Sequence, residues 1–461
     1  MKRKLFGTDG IRGKANHFPM TADVALKLGQ ALGHVVKKGA LGRPKPGHRQ
    51  RIVIGKDTRL SCYVFEQAVA AGICSMGVDA MMVGPLPTPG IAFVANSMRA
   101  DAGVVISASH NSFEDNGIKI FAQDGFKLSD AMELELETLM LDDRLGEKTP
   151  DGSELGRAYR IDDAVGRYVV FLKSVLPARA TLDGLRIVVD CANGAGYKVA
   201  PLVFSELGAE VIRVGTDPNG TNINDGVGSL FPEKLKKAVK EARADVGFAL
   251  DGDADRLVVC DDQGNVLDGD ALLAMCALDL KSRHQLPQNT MVTTVMSNIG
   301  LDQCLAKEGI NVVRTQVGDR YVVEAMREKS LSFGGEASGH LIFLDHATTG
   351  DGMVAAMSIL AMMTREERPL SELQTVYEAF PQELLSVPVP QKIPLKDLPE
   401  VKSLITAIEQ KHGEDGRVLV RYSGTEMKVR VMVEGKNEEE VAEDANTIAQ
   451  ELLSALEAHI S

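Results

Sequence analysis

One pattern of apolar and polar positions occurs three times along the chain. In each copy a short β-branched run leads into a polar loop, a helical stretch, a glycine and a second apolar run. The three copies begin at Arg51–Ile54, Ile187–Val189 and Met291–Val295. A glycine after a helix is a common C-terminal cap, and strand–helix–strand order favours a parallel sheet. The pattern therefore predicts three related α/β domains whose strand-end loops carry the chemistry.

The last part of the chain has a different pattern. A strand (Arg417–Tyr422), a tight turn, a second strand (Lys428–Val433) and a long acidic amphipathic helix (Glu438–Ala458) predict a smaller α+β domain. The proline-rich segment Pro388–Pro399 is expected to lead into this domain and to act as a hinge. We expect four domains, at residues 1–155, 156–256, 257–370 and 371–461.

Charge and composition narrow the possible partners. The 461 residues include 51 Lys and Arg against 64 Asp and Glu, so the net charge is −13. This excess of negative charge disfavours binding to nucleic acid or to an anionic membrane, and no apolar run approaches the roughly 18 residues that a transmembrane helix needs. Six scattered cysteines without a C-x-x-C pair are typical of a reducing compartment. We therefore expect a cytoplasmic protein that holds any anionic substrate with local Arg and Lys clusters.

Three aspartates follow the apolar strand Val246–Leu250, at Asp251, Asp253 and Asp255. We call them the aspartate triplet. Three carboxylates in one loop need a counter-charge, and hard oxygen ligands suit Mg²⁺ or Ca²⁺. An EF-hand is disfavoured because Arg256 stands where that loop needs glycine. A solvated acidic turn is the alternative, whereas a metal site of this kind would leave coordination positions for phosphate oxygens.

A second strand, ending at Ile106, runs into the polar segment Ser107–Asn111, which we call the serine loop. Ser107, Ser109 and His110 are its candidates for chemistry. Ser109 does not lie in a G-x-S-x-G sequence, so the α/β-hydrolase interpretation fails. A turn in which Ser and Asn cap the backbone is the alternative. Lys119 follows shortly afterwards and is expected near the same loop.

Two later loops combine glycines with groups that bind sugars or anions. The glycine-rich loop Gly334–His340 carries the carboxylate of Glu336, the hydroxyl of Ser338 and the imidazole of His340, a set that suits sugar hydroxyls. The arginine hairpin Arg421–Arg430 places hydroxyls and backbone amides on a turn flanked by arginines, as in an anion cradle. A flexible turn and a plain hairpin are the respective alternatives.

Together, and in this order, these loops resemble the α-D-phosphohexomutase superfamily over essentially the whole chain. The resemblance also includes the opening Phe6–Gly13, the segment Gly55–Arg59 and the triplet Gly318–Arg320. It implies a four-domain enzyme of heart-like shape. The implied fold class is α/β, with three related α/β domains of mixed sheets around a central cleft and a smaller C-terminal α+β domain.

The resemblance also implies a role for each loop. Ser109 would carry a phosphoryl group, and the aspartate triplet with a phosphoserine oxygen would bind one Mg²⁺ per chain. Glu336 and Ser338 would recognise the sugar. The phosphate-binding residues of the last domain would be Arg421, Ser423, Gly424, Thr425 and Arg430.

Further roles around the reacting groups follow from the same resemblance or stand as hypotheses. Lys119 and His340 are candidates for proton transfer, and Arg12 and Arg256 for steadying the phosphates. The residues expected to support the site are His110, Asn111, Asp319 and Arg320. All of these groups would position the reactants or neutralise their negative charge, which are the main requirements of phosphoryl transfer.

The implied reaction is an isomerisation that moves phosphate between O6 and O1 of glucosamine, with glucosamine 1,6-bisphosphate as intermediate and activator. Its product would supply UDP-N-acetylglucosamine and cell-wall synthesis. The stretches Thr221–Asn224 and Thr348–Gly352 resemble the branch acting on glucosamine phosphates more than the phosphomannomutase/phosphoglucomutase branch, which is the alternative. Ser112 and Ala337 depart from the usual residues at their positions, and Ala337 bears on sugar preference.

Two other classes remain open at this point. A phosphoserine hydrolase would release inorganic phosphate, but it would not need a second phosphate grip. A non-catalytic sugar-phosphate binding protein would leave the aspartate triplet without a purpose. The superfamily suggests a homodimer, and the first phosphoryl group on Ser109 would come from a kinase or from the enzyme itself.

Overall fold

The structure is a computed structural model that describes residues 4–7, 9–42, 49–142, 145, 150–423 and 427–460. The chain forms two compact units. The first comprises Met1–Val295 and Val313–Thr375, and the second comprises Met296–Val312 and Val376–Ser461. Within the described ranges, no helix combines the length and apolar character needed to cross a membrane.

The first sheet has six strands in the order β1-β5-β4-β2-β3-β6. The strands are β1 (Ile11–Lys14), β2 (Arg51–Lys56), β3 (Asp79–Pro85), β4 (Ala102–Ile106), β5 (Asp115–Ala122) and β6 (Ala158–Arg160). The helices around it are α1 (Ala22–Lys37), α2 (Ser61–Ser75), α3 (Thr88–Ser97) and α4 (Asp130–Met140). Strand β2 is parallel to β3 and β4, whereas β5 is antiparallel to β4 and β1. The sheet is therefore mixed, and β6, beyond the boundary expected at residue 155, belongs to it.

The second sheet has four strands in the order β10-β9-β7-β8. Its elements are α5 (Ala164–Lys173), β7 (Arg186–Asp190), α6 (Val199–Glu206), β8 (Glu210–Val214), α7 (Pro232–Ala242), β9 (Val246–Leu250) and β10 (Leu257–Asp261). Strand β7 is parallel to β8 and β9, and β10 returns antiparallel to β9. The predicted strand before the aspartate triplet is confirmed as β9, and the strand after it joins the same sheet.

The third sheet has four strands in the order β12-β11-β13-β14. Its elements are α8 (Gly269–Ser282), β11 (Thr290–Thr294), α9 (Ile299–Lys307), β12 (Asn311–Thr315), α10 (Asp319–Glu328), β13 (Phe333–Glu336), β14 (His340–Phe343), α11 (Gly352–Glu366) and α12 (Leu370–Leu373). Strand β13 is parallel to β11 and antiparallel to β14. The glycine-rich loop therefore comprises most of β13, the turn at residues 337–339 and the first residue of β14. Helix α9 belongs to the second compact unit.

The last sheet has three antiparallel strands in the order β15-β17-β16. Its elements are β15 (Gln382–Pro388), α13 (Pro399–His412), β16 (Arg417–Tyr422), β17 (Lys428–Glu434) and α14 (Glu438–Ile460). The expectation that Pro388–Pro399 leads into this domain is wrong, because β15 already pairs with β17 up to Pro388 opposite Lys428. Proline is tolerated there because β15 is an edge strand, where a missing N–H costs no ladder bond.

Two short buried strands carry the candidate site. All five residues of β4 and all five of β9 are buried, as expected for strands covered on both faces. Ser107 follows β4 directly, and Asp251 follows β9 directly. Aliphatic side chains hold these strands in place, such as Val104 and Ile106 in the first core and Ala249 in the second. The polar loops therefore begin at anchored strand ends.

Candidate active site

Ser109 is held in an unusual backbone conformation that directs its hydroxyl towards the aspartate triplet. Its φ is 53°, a left-handed value that costs a non-glycine residue about 1–2 kcal/mol. The buried Ser109 Oγ donates to Asp251 Oδ2 at 2.5 Å, and Ser109 N donates to Ser107 Oγ at 3.0 Å. The structure thus brings the serine loop and the aspartate triplet, which are far apart in the chain, into direct contact.

The other residues predicted on the serine loop flank Ser109. His110 Nδ1 lies 3.4 Å from Ser109 Oγ, and partial burial with the nearby charges of Arg256 and Arg12 lowers the pKa of His110. Asn111 Nδ2 donates to Asp115 Oδ2 at 2.9 Å, which ties the loop to the start of β5. Asn111 therefore braces the loop, whereas His110 lies beside the serine hydroxyl.

The aspartate triplet has the donors of a metal site. One carboxylate oxygen from each residue lies within 4.8 Å of the others, and all three residues are buried. Asp253 Oδ1 and Asp255 Oδ1 have no hydrogen-bond partner among the described residues. Burial, reinforced by the charges of Asp255 and Asp253, raises the pKa of Asp251 well above its usual range. Buried carboxylate oxygens without partners are what a hard divalent cation requires, so the residues present fit one.

Gly252 allows the two loops to approach each other. A Cβ at this position would lie 2.4 Å from the carbonyl oxygen of Ser109 and 2.9 Å from Asn224 Nδ2. No side chain can therefore stand between the first two ligands of the triplet while Ser109 remains in contact with Asp251. The glycine in the D-G-D sequence is a packing requirement of the site.

Lys119 is the principal cation facing the triplet. Its buried ammonium lies 2.9 Å from Asp253 Oδ2, 3.3 Å from Asp9 Oδ2 and 3.7 Å from Asp255 Oδ2. Burial disfavours this charge, but the carboxylates outweigh burial and raise the pKa of Lys119. Arg12 forms an ion pair with Asp9. Although burial acts in the opposite direction, the charges of Asp9 and Asp253 raise the pKa of the Arg12 guanidinium. Lys119 and Arg12 thus both remain positively charged near Asp9 and Asp253.

His340 lies between two carboxylates. Its Nδ1 is 3.7 Å from Asp255 Oδ1, and its Nε2 is 3.5 Å from Asp319 Oδ2. Burial opposes its charge, but Asp255 and Asp319 raise the pKa of His340 to about 8. A Cβ at Gly350 would lie 2.2 Å from Nε2, so that glycine makes room for the ring. The imidazole is therefore a proton donor at neutral pH.

Arg256 and Glu336 complete the polar surroundings in the first unit. Arg256 N donates to Asp251 Oδ1 at 3.2 Å, while its buried Nε has no hydrogen-bond partner among the described residues. Glu336 Oε1 accepts from Gly318 N at 3.1 Å, and Ser338 is exposed at the turn of the glycine-rich loop. These groups offer an unsatisfied donor, a carboxylate and a hydroxyl to a ligand.

Lys127 is a charged residue that sequence reasoning missed. Its Nζ lies 2.7 Å from Asp9 Oδ1 and 2.7 Å from Asp319 Oδ2. This ammonium lowers the pKa of Asp319 although burial acts in the opposite direction. Arg320 Nη2 lies 2.8 Å from Glu133 Oε1, so Asp319 and Arg320 both bind first-domain residues rather than the triplet. No local pattern marks Lys127, because its partners are 118 and 192 residues away.

The arginine hairpin belongs to the second unit and brings two like charges together. Arg421 and Arg430 are directly opposite on β16 and β17. Burial and the charge of Arg430 lower the pKa of Arg421, whose Nε has no hydrogen-bond partner in the described part of the chain. Ser423 N donates to Lys428 O at 2.9 Å. Like charges at opposed positions destabilise a strand pair, so a bound anion would stabilise this one.

The predicted residues Gly424 and Thr425 lie outside the described residues. Among the predicted site residues of the first unit, the structure brings Ser109, Lys119 and the aspartate triplet together. Arg12, Arg256 and His340 contact these groups or their immediate partners.

Family models described as phosphoglucomutase/phosphomannomutase match this chain in four consecutive parts. The three alpha/beta/alpha domains match residues 3–146, 166–264 and 268–380, and the C-terminal domain matches residues 384–451. The chain belongs to the phosphoglucomutase/phosphomannomutase family. Four domains, three of them with mixed sheets and the last one smaller, are therefore confirmed as its architecture.

Curated relatives in this family are similar over nearly their whole length. A phosphoglucosamine mutase of Anaeromyxobacter sp. (strain Fw109-5) is 59% identical over 458 residues, covering 98% of this chain and 96% of the relative. A phosphoglucosamine mutase of Syntrophotalea carbinolica is 55% identical over 460 residues, covering 100% of this chain and 98% of the relative.

Solved structures of the family share the fold. A phosphoglucomutase/phosphomannomutase family protein from Burkholderia thailandensis has a TM-score of 0.80 at 25% identity, covering 98% of this chain and 97% of that one. N-acetylphosphoglucosamine mutase of Aspergillus fumigatus, solved with GlcNAc-6P and magnesium, has a TM-score of 0.65 at 19% identity, covering 99% and 96%.

Replacing Asp251 by Asn should separate the stability of the site from its capacity to bind a cation. In EDTA at pH 8, the melting temperature of D251N should exceed that of the wild type, because a raised pKa is worth about 1.4 kcal/mol per unit against the ionised form. Added Mg²⁺ should raise the melting temperature of the wild type more than that of D251N.

The matched control is Asp225→Asn, which removes an exposed carboxylate from a neighbouring loop. This variant should follow the wild type both in EDTA and in Mg²⁺. A D251N protein that melts lower in EDTA and keeps the full response to Mg²⁺ would contradict the assignment.

Proposed function

We propose that this chain is a phosphoglucosamine mutase that interconverts glucosamine 6-phosphate and glucosamine 1-phosphate in the cytoplasm. The observation that carries the proposal is the contact between Ser109 Oγ and Asp251. It lies beside oxygens of Asp253 and Asp255 that have no hydrogen-bond partner among the described residues. A hydroxyl in that position can carry a phosphoryl group next to a cation. The curated relatives named phosphoglucosamine mutase, at 55–59% identity, support the choice of reaction.

The aspartate triplet would hold one Mg²⁺ per chain, together with an oxygen of phosphorylated Ser109. When bound, the ion would neutralise negative charge on the group in transfer. The three carboxylates alone leave coordination positions for phosphate oxygens. The magnesium in the Aspergillus fumigatus relative supports this choice of metal.

The reaction would consist of two phosphoryl transfers. In the first, the bond from phosphorus to Ser109 Oγ breaks, a bond from phosphorus to sugar O1 forms, and the O1 hydroxyl gives up its proton. Glucosamine 1,6-bisphosphate results. In the second, the 6-phosphoryl group returns to Ser109 Oγ, O6 takes up a proton, and glucosamine 1-phosphate leaves. His340 would exchange these protons, because a pKa of about 8 leaves both of its protonation states populated near neutral pH. Lys119, whose pKa is raised by the surrounding carboxylates, would stay charged and would steady the phosphates together with Arg12 and Arg256.

The arginine hairpin would hold the phosphate that is not being transferred. Arg421 and Arg430 supply opposed positive charge, and Ser423, Gly424 and Thr425 would add donors from the turn. Because these groups bind a phosphate and not the carbon that bears it, they would accept the sugar in either orientation. Glu336 and Ser338 would recognise the sugar itself.

Two partners belong to the same proposal. The chain would act as a homodimer, and the first phosphoryl group on Ser109 would come from a kinase or from the enzyme itself, which would take it from glucosamine 1,6-bisphosphate. Intact mass after incubation with the bisphosphate alone distinguishes the two sources, and the mass of the native protein in solution gives the oligomeric state.

Ser109 should be phosphorylated in the active protein. Intact-mass and peptide-mapping spectrometry with glucosamine 1,6-bisphosphate should find one added phosphoryl group on the Ser109 peptide. Ser109→Ala should lose this mass and lower turnover by several orders of magnitude, as removal of a nucleophile does. Ser112→Ala, which removes an exposed hydroxyl just after the same loop, should still be phosphorylated. Full turnover by Ser109→Ala would contradict the covalent scheme.

Arg421→Gln should weaken substrate binding. The KM for glucosamine 6-phosphate should rise about 10–100-fold with little change in kcat, because hydrogen bonds to charged groups are worth about 1.5–3 kcal/mol. Lys436→Gln is the control, since Lys436 is exposed and pairs with Asp415. An unchanged KM in Arg421→Gln would refute the phosphate-binding role.

The alternative within the family is a phosphomannomutase/phosphoglucomutase, which the family description itself names. We expect kcat/KM for glucosamine 6-phosphate to exceed that for glucose 6-phosphate and mannose 6-phosphate by at least about 10-fold, the worth of one hydrogen bond from the amino group to a carboxylate such as Glu336. Preference for glucose or mannose would favour the alternative. Inorganic phosphate without an isomer product would instead identify a hydrolase.

A further inference from the structure

Two segments of the family resemblance have no role in the site described above, namely Gly55–Arg59 and Thr221–Asn224. Both segments contact backbone carbonyl groups of the serine loop. Arg59, which is fully buried, places Nη2 3.2 Å from Ser109 O and 2.6 Å from Asn111 O. Its Nε lies 3.4 Å from Ser112 O. One guanidinium therefore holds three carbonyl oxygens of the loop that carries the serine.

Asn224 holds two of the same oxygens from the second domain. Its Nδ2 lies 2.9 Å from Ser109 O and 2.8 Å from Asn111 O. Asn224 is itself in a left-handed conformation, with a φ of 58°, and its N donates to Ala192 O at 2.9 Å. Donors from two domains thus converge on one pair of carbonyl groups.

Arg59 is in turn fixed by its own neighbours. It pairs with the buried carboxylate of Asp57, whose N donates to Ile106 O at the end of β4. Thr58 Oγ1 donates to Asn193 O at 2.5 Å, and Leu60 N donates to Gly220 O at 2.9 Å, both in the second domain. The guanidinium is therefore a rigid group attached to both domains.

These contacts determine the direction of the serine hydroxyl. Ser107 Oγ accepts from Ser109 N, so the peptide group before Ser109 is held from one side. Arg59 and Asn224 hold the peptide group after it through Ser109 O. With both flanking peptide groups held, Ser109 keeps its left-handed conformation and its Oγ stays 2.5 Å from Asp251.

We propose that Arg59 and Asn224 are positioning residues for phosphoryl transfer, which act by gripping the carbonyl oxygens of Ser109 and Asn111. Their side chains contact the backbone of the serine loop, so they would act through Ser109. The inference rests on the proposed function, because it assigns a role to residues that hold Ser109 in place as the carrier of the phosphoryl group. Small displacements of a reacting group are costly in rate, since about 1 Å of misplacement can lower turnover about 100-fold.

The main test replaces Asn224 by Ala. We expect kcat for glucosamine 6-phosphate to fall about 10–100-fold, with KM changed less than about twofold, because the substrate contacts remain. Asn224→Asp, which has the same shape but donates no hydrogen bond to a carbonyl, should lose at least as much. The control is Asn222→Ala, since Asn222 lies on the same loop and its side chain binds Asp217 O and Asn219 N. It should keep the wild-type kcat.

Arg59→Lys provides a second variant that keeps the charge opposite Asp57 but loses the fork of donors. Because Arg59 and Asn224 hold the same two oxygens, releasing either one should cause most of the damage. The double variant should therefore lose much less than the product of the two single losses in kcat. If the two single losses in kcat multiply in the double variant, Arg59 and Asn224 act independently and the proposal that they hold the serine loop together is refuted.

The outcomes separate this inference from the proposed function. Wild-type protein that neither carries phosphate on Ser109 nor isomerises the sugar would refute the function. If the wild-type protein isomerises the sugar but kcat is unchanged in Asn224→Ala and Asn224→Asp, the positioning role is refuted and the proposed function stands. Melting temperature reports folding, and a variant that loses stability but keeps kcat in its folded fraction would also overturn the inference.

Discussion

The burial of three carboxylates in one loop is the constraint on which the rest of the first unit depends. Removing Asp251, Asp253 and Asp255 from water is unfavourable unless opposite charge accompanies them. Lys119 and His340 supply part of that charge, yet one oxygen of Asp253 and one of Asp255 still have no hydrogen-bond partner among the described residues. A divalent cation would supply the positive charge that is still missing. Binding of such an ion would restore the stability that burial of the three carboxylates costs.

The serine is shaped by the same constraint. To reach Asp251, Ser109 adopts a left-handed backbone that its own residue type disfavours. Gly252 leaves the space for that approach, and side chains from two domains hold the carbonyl groups that follow. A conformation that is unfavourable locally is thus maintained by contacts that are distant in sequence. Such arrangements are common where a reacting group must be aimed.

Sequence reasoning predicted the parts of this site that local patterns encode. Two predicted strands coincide with strands of the structure, Val246–Leu250 with β9 and Arg417–Tyr422 with β16. Both could be predicted because the residues that indicate a strand are neighbours in the sequence. The role of Lys127 could not be predicted, since both of its partners lie more than a hundred residues away. The segment Pro388–Pro399 was misinterpreted because its prolines indicated an interruption, while the edge strand before it has no buried residue to mark it.

The separation of Lys119 from its counter-charges also has a consequence for synthesis of the chain. Among the described residues of the first domain, Asp9 is the carboxylate that pairs with Arg12, Lys119 and Lys127. The contact of Lys119 with Asp253 spans 134 residues, so the ribosome must add most of the second domain before this ammonium can meet a carboxylate other than Asp9. A nascent first domain therefore carries excess positive charge at this point until the aspartate triplet emerges.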